Sequence, residues 1–589
     1  MKILNAHDRY LPEWFARIQS RQITLPRFQR FIAWGHNEIS GLLTTVLRGL
    51  PSGATLILQV GDHEKFQSRT MMDAPETGEK VTEQLLDGQQ RLTALWRSLN
   101  DKYEDRTYLI AFEDDQLGNG KIPVVYGQAR WKNNGSRYPM WVDNPKELWR
   151  RGYIPVRLLR PVDMNQEINQ WIKDAMPDDE ADKYSLHLAM SESINNLRIK
   201  VREFNLPYLA LPATTPKEVA LDVFIKMNTS SVRLSTYDII VALVEDETGK
   251  SLHEHVELLK QQVPRAGEYV DLPDLALSVV ALLQDRIPNQ TGYKAIDYKQ
   301  MVTDWDKVVA GIKGMIHLIE SESILDSARL PSSIPLPVIA ALWTDLPSQP
   351  DKLGNAHHLL RKYLWCSFLT SRYEQSSSFN SLQDYRGLKR LIATGDLNNS
   401  PPIFNLDLYP LPVKEQIVAA DWPKRSTILG RGLLALQLKC GAEDLADGAR
   451  ININNLKERP REYHHLFPEN LLEDAGLAQE QIYRAMNCAL ISWRTNRTIS
   501  DKDPVRYLKE RADNATLGES ELVRRLQTHL IPIASLSVGY DGLGSDERKQ
   551  KIIADYQSFL QARADLLLKA VRLAGEGRSF QHTDIFVQQ

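Results

Sequence analysis

A multidomain α+β chain, mainly helical, is what this sequence predicts, and three observations predict it. Its 589 residues exceed what a single core ordinarily organises, so two to four domains are expected. Strand-like runs at 55–60 and 107–112 alternate with amphipathic stretches up to about residue 245. Beyond that point apolar residues recur almost only at helical spacing, as at 275–283 and 359–369. The expected division is an α+β domain over 1–245, a helical middle region over 246–430, and a C-terminal domain over 431–589 that ends in helices.

The first motif-bearing segment, 25–34, precedes an amphipathic helix and carries Arg30, whose planar fork suits phosphate. Next comes Asp87-Gly88-Gln89-Gln90-Arg91, followed by Leu92, Leu95, Trp96 and Leu99 at helical spacing. A helix therefore starts near Gln89, and its free first-turn N–H groups, with Arg91 and the glutamines, make a natural anion site. Asp87 and Gln90 also have the spacing of a capping box, which would satisfy the same donors from within. Farther on, Asn228 precedes Ser235 and Asp238, themselves spaced as a helix cap and its acid. The Asn228 amide suits either reading a base or holding its loop.

In the middle region, Pro331 to Pro337, Pro401-Pro402 and Ser376-Ser377-Ser378 read as loops. The aromatic stripe at 364–373 reads as core. Near the C-terminus a helix is expected over 545–574, with Ser545 as its cap and Phe559, Ala562, Leu566 and Leu567 on its buried side.

Composition narrows the function. Hydrophobic residues make up 42% and charged residues 25%, as in ordinary globular protein. A net charge of −3 and a pI near 6.5 exclude a uniformly basic nucleic-acid binder, so contact with DNA must use local patches. One candidate patch spans 484–509, where Arg494, Arg497, Lys502 and Arg506 stand against Asp501 and Asp503; a solvated helix face is the other reading. Cys366, Cys440 and Cys488 are too far apart for a zinc knuckle or a disulfide framework, which points to a reducing cytoplasm. The N-terminus lacks the apolar stretch of a signal peptide and no run reaches membrane-spanning length, so no membrane partner is expected.

The most specific pattern is Tyr463-His464-His465-Leu466-Phe467-Pro468, followed by Asn487 and Asn496. Residues 487–492 read as a short apolar strand able to pair with the one that ends near His465. Neighbouring imidazoles on an extended segment diverge, so one can ligate a cation while the other takes a proton from water. The spacing resembles that of HNH nucleases, which use a ββα cradle. On that reading His465 is the general base, Asn487 orients its ring, and His464 with Asn496 holds Mg²⁺ or Mn²⁺. Many HNH enzymes carry Asp where this chain has His464, and imidazole is also a competent ligand.

Together with 504–508, this set resembles the C-terminal nuclease domain of GmrSD-type modification-dependent restriction proteins. The segments 26–34, 87–91 and 224–238 look like the ParB-related N-terminal domain of the same family. The resemblance implies that Asp87, Gly88, Gln89, Gln90 and Arg91, with Arg30 and Asn228, bind and hydrolyse a nucleoside triphosphate, whether GTP, ATP or another. No P-loop sequence occurs. It further implies double-stranded DNA as substrate, in particular phage DNA carrying hydroxymethylated or glucosylated cytosine or phosphorothioate linkages; a homodimer is compatible with it. The competing reading is a nucleotide-dependent DNA-binding regulator with an inactive nuclease module, and a third is an RNase or toxin.

Overall fold

The computed structural model describes residues 6–29, 34–114, 121–132, 136, 141–177, 182–227, 236–425, 427–445, 447–456, 461–492, 510, 513, 518–536 and 538–586. The chain divides into two compact units, Met1–Leu252 and His253–Gln589. The first is mixed α/β and the second mostly helical. The second unit spans both the stretch read as a middle region and the stretch read as a nuclease domain.

The first unit is organised by a six-stranded sheet containing β1 (Ala6–His7), β2 (Ile23–Pro26), β3 (Thr55–Gln59), β4 (Ser68–Arg69), β5 (Glu83–Asp87) and a late strand, Tyr208–Leu211. β5 lies between β3 and β2, antiparallel to the former and parallel to the latter. The late strand runs parallel to β3 and antiparallel to β1, so sequence-distant segments close the same sheet. A second, three-stranded sheet is built on Arg106–Asp114 and Lys121–Ala129. Both runs predicted as strands, 55–60 and 107–112, lie in these sheets.

Helix periodicity explains how the first unit packs. Leu11, Trp14, Phe15 and Ile18 fall on one face of the Leu11–Gln19 helix and are all buried. Leu92, Leu95, Trp96 and Leu99 do the same on the Gln89–Leu99 helix and join the same core. Through that core passes a charged tie. The buried Arg9 guanidinium donates to both Glu83 oxygens, at 2.7 and 2.8 Å, while lying 4.4 Å over Trp14 and 4.1 Å over Tyr208. Burial works against the cation, but the Glu83 bonds more than offset it and hold the Arg9 pKa above its ordinary value.

In the second unit the Pro335–Trp343 helix is buried nearly all round and packs on the Trp305–Ser321 and Leu272–Leu283 helices. Gly311 and Gly314 make this approach possible, because a Cβ at either would collide with the Ala340 carbonyl or the Trp343 ring. Three local expectations are corrected here. Pro335 opens a helix rather than interrupting one, since a first-turn proline sacrifices only an N–H that has no intrahelical partner. The serine run likewise begins a helix, Ser377–Thr394. Ser545 is the first residue of the 31-residue Ser545–Gly575 helix, whose N-cap is Gly544 and which has no side-chain cap.

The aromatic stripe is core as expected, with Trp365, Cys366 and Phe368 buried. All three cysteines are buried free thiols. Among the described residues, no helix is long and apolar enough to cross a membrane.

The Arg9–Glu83 tie yields a stability prediction. Glu83→Ala strands a buried cation and should cost about 3–5 kcal/mol. Hydrogen exchange across β5 reads this directly, and unchanged protection there would show that the tie contributes little.

Candidate functional site

At the end of β5 the chain delivers Asp87 to a turn that only glycine makes easily. Gly88 has φ of 95° and caps the Gln89–Leu99 helix, and a Cβ on it would lie 2.5 Å from the Thr55 methyl. The capping box envisaged between Asp87 and Gln90 does not form, because the N-cap position belongs to Gly88, which has no side chain. Asp87 instead pairs with Arg91 at 3.3 Å and accepts from the Gly88 N–H. The N-terminus of this 11-residue helix therefore has no side-chain cap, and its dipole favours an anion.

Arg91 has a more local task than a free phosphate fork. Its Nη1 donates to the Ser52 carbonyl and its Nη2 to the Ala54 carbonyl, both at 2.7 Å, so it fastens the turn leading into β3 against the Asp87 end of β5. Burial raises the Asp87 pKa, with Arg91 opposing; burial lowers that of Arg91, with Asp87 opposing.

Gln29 also braces this strand end, as motif reasoning about its neighbour Arg30 did not foresee. Its Nε2 donates to the Leu85 and Leu86 carbonyls at 2.8 and 3.0 Å. Arg69, lowered to about 10 by burial, donates to the Gln29 carbonyl at 3.1 Å. Asp87 through Arg91 are thus brought together on one strand–turn–helix. Arg30 and Asn228 lie outside the described residues.

The second site is a hairpin. Strand Arg461–His465 pairs antiparallel with Cys488–Ser492, setting His464 opposite Ala489 and His465 opposite Cys488, which agrees with the pairing inferred from the sequence. Successive strand residues face opposite ways, so the two imidazoles have different surroundings. Tyr463 and His465 share the face covered by Trp422, which stacks on the His465 ring at 4.2 Å with the planes 17° apart. Tyr483 meets the same ring edge-on at 4.8 Å, and its hydroxyl donates to Glu469 at 2.7 Å. His464 is buried on the other face.

Burial pushes the His465 imidazole down to about 4, with Glu469 opposing. It is therefore neutral at pH 7 and able to accept a proton, though far below the basicity at which a general base works best. Among the described residues, nothing bonds to its buried Nε2.

Asn487 does not orient that ring. Fully buried, it accepts from the Phe467 N–H at 2.8 Å and donates to the carbonyls of Phe467 and Ile482 at 3.1 and 3.3 Å. The loop after the histidines is thereby clasped by backbone contacts, and Asn487 acts on His465 only through the chain. Asn487 is held in turn from below: Arg563 donates to the carbonyls of its neighbours, Met486 at 2.6 Å and Cys488 at 2.9 Å.

Among the described residues there is no group of three or more His, Cys, Asp or Glu side chains able to hold a metal ion. Of the expected ligand pair, His464 is in the hairpin and Asn496 lies outside the described residues, as do residues 493–509 of the basic patch. An imidazole and an amide oxygen suit a divalent cation that keeps most of its water.

Trp422, Tyr483 and Glu469 were not foreseen as site residues. Only Glu469 had a sequence signal, as an acid directly after the Leu-Phe-Pro turn.

Gly88→Ala forces a side chain into left-handed backbone, costing about 1–2 kcal/mol before the Thr55 clash is counted. Residues 83–99 should become more susceptible to limited proteolysis in this variant, and an unaltered cleavage pattern would show that the turn tolerates a Cβ.

A second prediction concerns pH. His465 and His529 are both pushed down to about 4 by burial, so below about 6.5 the unfolded chain binds protons that the folded chain refuses. Their contribution to stability is complete above about 6.5 and is lost as pH falls towards about 4. The urea midpoint should therefore drop across this window, less steeply in His529→Gln; equal slopes in the two proteins would remove His529 from the account.

An uncharacterized protein of Methanocaldococcus jannaschii is 22% identical over 622 aligned positions, which span 96% of this chain and 99% of that protein. Residues 11–245, which hold the entire Asp87–Arg91 turn, match the family described as "GmrSD restriction endonuclease, N-terminal domain".

Proposed function

We propose that this chain is a modification-dependent DNA endonuclease of antiphage defence, in which a nucleotide-hydrolysing N-terminal region controls metal-dependent phosphodiester cleavage of the HNH type. The N-terminal family match supports a restriction endonuclease role. The observation that carries the cleavage reading is the antiparallel pairing of the two short strands, with His464-His465 opposite Ala489 and Cys488 and with Asn487 clasping the loop between. A pair of antiparallel strands is one part of the ββα cradle on which an HNH site is built.

The roles are those to which the sequence motifs point. His465 takes the proton of the attacking water, and His464 with Asn496 holds Mg²⁺ or Mn²⁺. A divalent cation there would offset charge that develops on the phosphodiester. In the N-terminal region the uncapped helix end, flanked by Asp87 and Arg91, receives the phosphates of a nucleoside triphosphate, with Arg30 and Asn228 completing the site. A weakly selective nuclease endangers its own host DNA, so control by a sensor supplies discrimination that the cutting site lacks. The protein acts in the cytoplasm, where free thiols such as its three cysteines persist.

The test uses purified protein with Mg²⁺ or Mn²⁺, nucleotide, and modified or unmodified DNA alongside RNA. Modified DNA should be cut in preference to the others. His465→Ala should reduce cleavage by about 10²–10⁴-fold while leaving folding and nucleotide hydrolysis near wild type. Cleavage at the wild-type rate removes His465 as the base, and a wild-type protein that binds modified DNA without cutting it returns the reading to a regulator. Asn496→Ala should raise the metal concentration needed for cutting, and an unshifted titration moves that ligand elsewhere.

A further inference from the structure

Beside His465 stands a basic turn that no motif announces. Trp422 is followed by the short 3₁₀ turn Pro423–Arg425, in which Lys424 and Arg425 are both exposed. The Arg425 guanidinium lies 5.3 Å over the Tyr483 ring, which in turn meets His465 edge-on, so one aromatic ring separates this cation from the candidate base. Arg484 joins them from the segment before the second hairpin strand, through a β-bridge between Asp421 and Arg484.

The turn is held from several sides. The Trp422 N–H donates to the Tyr483 carbonyl at 3.1 Å, the Ala485 N–H to the Ala420 carbonyl at 2.9 Å, and Arg431 Nε to the Pro423 carbonyl at 3.4 Å. Trp422 itself is locked on the His465 ring. The charges are therefore presented by a braced backbone rather than by a free loop.

Among the described residues, Asp421, Glu469 and Glu473 lie close by, the last acting on Tyr483 through its charge. Asp421 makes a loose 4.0 Å pair with Arg425, and Glu469 accepts from the Tyr483 hydroxyl. An exposed pair of that length is weak and exchanges readily for phosphate.

We propose that Lys424 and Arg425, assisted by Arg484, grip the sugar–phosphate backbone of duplex DNA next to the scissile bond, with Trp422 fixing the turn and His465 in mutual register. This rests on the endonuclease reading and gives its cutting site a substrate contact. A chain of net charge −3 needs such a local patch, because no uniform field draws DNA towards it. The arrangement also explains why an exposed basic turn is tied so closely to a half-buried histidine: moving one moves the other.

The experiment measures duplex DNA affinity of the full-length protein in EDTA, where metal-dependent cleavage is silent, across a salt series, with and without Lys424→Ala and Arg425→Ala. Each substitution should weaken binding regardless of base sequence and lower the slope of log affinity against log salt by about 1. In the cleavage-competent protein the same substitutions should raise KM while kcat at saturating DNA changes little, and Arg425→Lys should restore most of the salt slope. Thermal unfolding is expected to be unchanged, as both side chains are exposed.

If the parent binds and cuts DNA but the variants match it in slope and KM, the grip is overturned and the endonuclease reading stands. If the parent neither binds nor cuts DNA, both fall. A loss seen only with single-stranded RNA would assign the turn to RNA and overturn the duplex proposal.

Discussion

The Arg563 guanidinium, fully buried, is the contact on which the candidate cutting site depends. Besides the Met486 and Cys488 carbonyls, it donates to those of His529 and Leu530 at 2.9 and 3.3 Å and to Gln437 Oε1 at 3.0 Å. One side chain on the Ser545–Gly575 helix thereby fixes the entrance to the second hairpin strand, the end of the Glu519–Thr528 helix and the Ile428–Lys439 helix. Burying a cation costs several kcal/mol, and charge-assisted hydrogen bonds of about 1.5–3 kcal/mol each are the means of recovering it. With carbonyls as partners, the arginine holds backbone directly, so the position of Asn487 follows from it.

Polar hubs of this kind recur wherever helices must choose one register among several that are equally greasy. Burial opposes the Glu322 carboxylate, yet Lys439, Trp365 and Arg361 bond to it and keep its pKa below the ordinary carboxylate range. Asp384 collects Arg372 and the Tyr373 hydroxyl, and Tyr373 is bonded to Tyr363 at 2.6 Å. Apolar faces alone tolerate sliding by a turn, whereas a buried carboxylate with fixed donors does not. In the first unit the Arg9–Glu83 pair plays the same part for a sheet in which β1 pairs with the Tyr208–Leu211 strand from about two hundred positions away.

This rigidity bears on function. At the N-terminal turn Arg91 is spent largely on holding the residues 52–54 turn to the end of β5, so its service to an anion is to shape the place where the helix N-terminus is presented. At the hairpin, Trp422 and Tyr483 hold His465 neutral and still, and the same aromatic contacts carry exposed cations to its side. In both places the residue named by a motif depends on neighbours that no motif names.

Much of the architecture was legible in the sequence. Hydrophobic period separated a strand-bearing first part from a helical remainder, because side-chain alternation is a local property that survives without tertiary context. The start of the helix at Gln89, the pairing of the two strands flanking the histidine motif, and the Ser545–Gly575 helix were all readable for that reason. What the tertiary structure alone decided is which polar group meets which. Ala562 was expected on the buried face of the last long helix, whereas Arg563 beside it is the residue that faces the interior. Asn487 was expected to bond a histidine ring and instead clasps the backbone of Phe467. A local pattern records whether a residue is apolar; it holds no record of carbonyls left over by distant strand and helix ends, and these are what buried arginine and asparagine side chains satisfy.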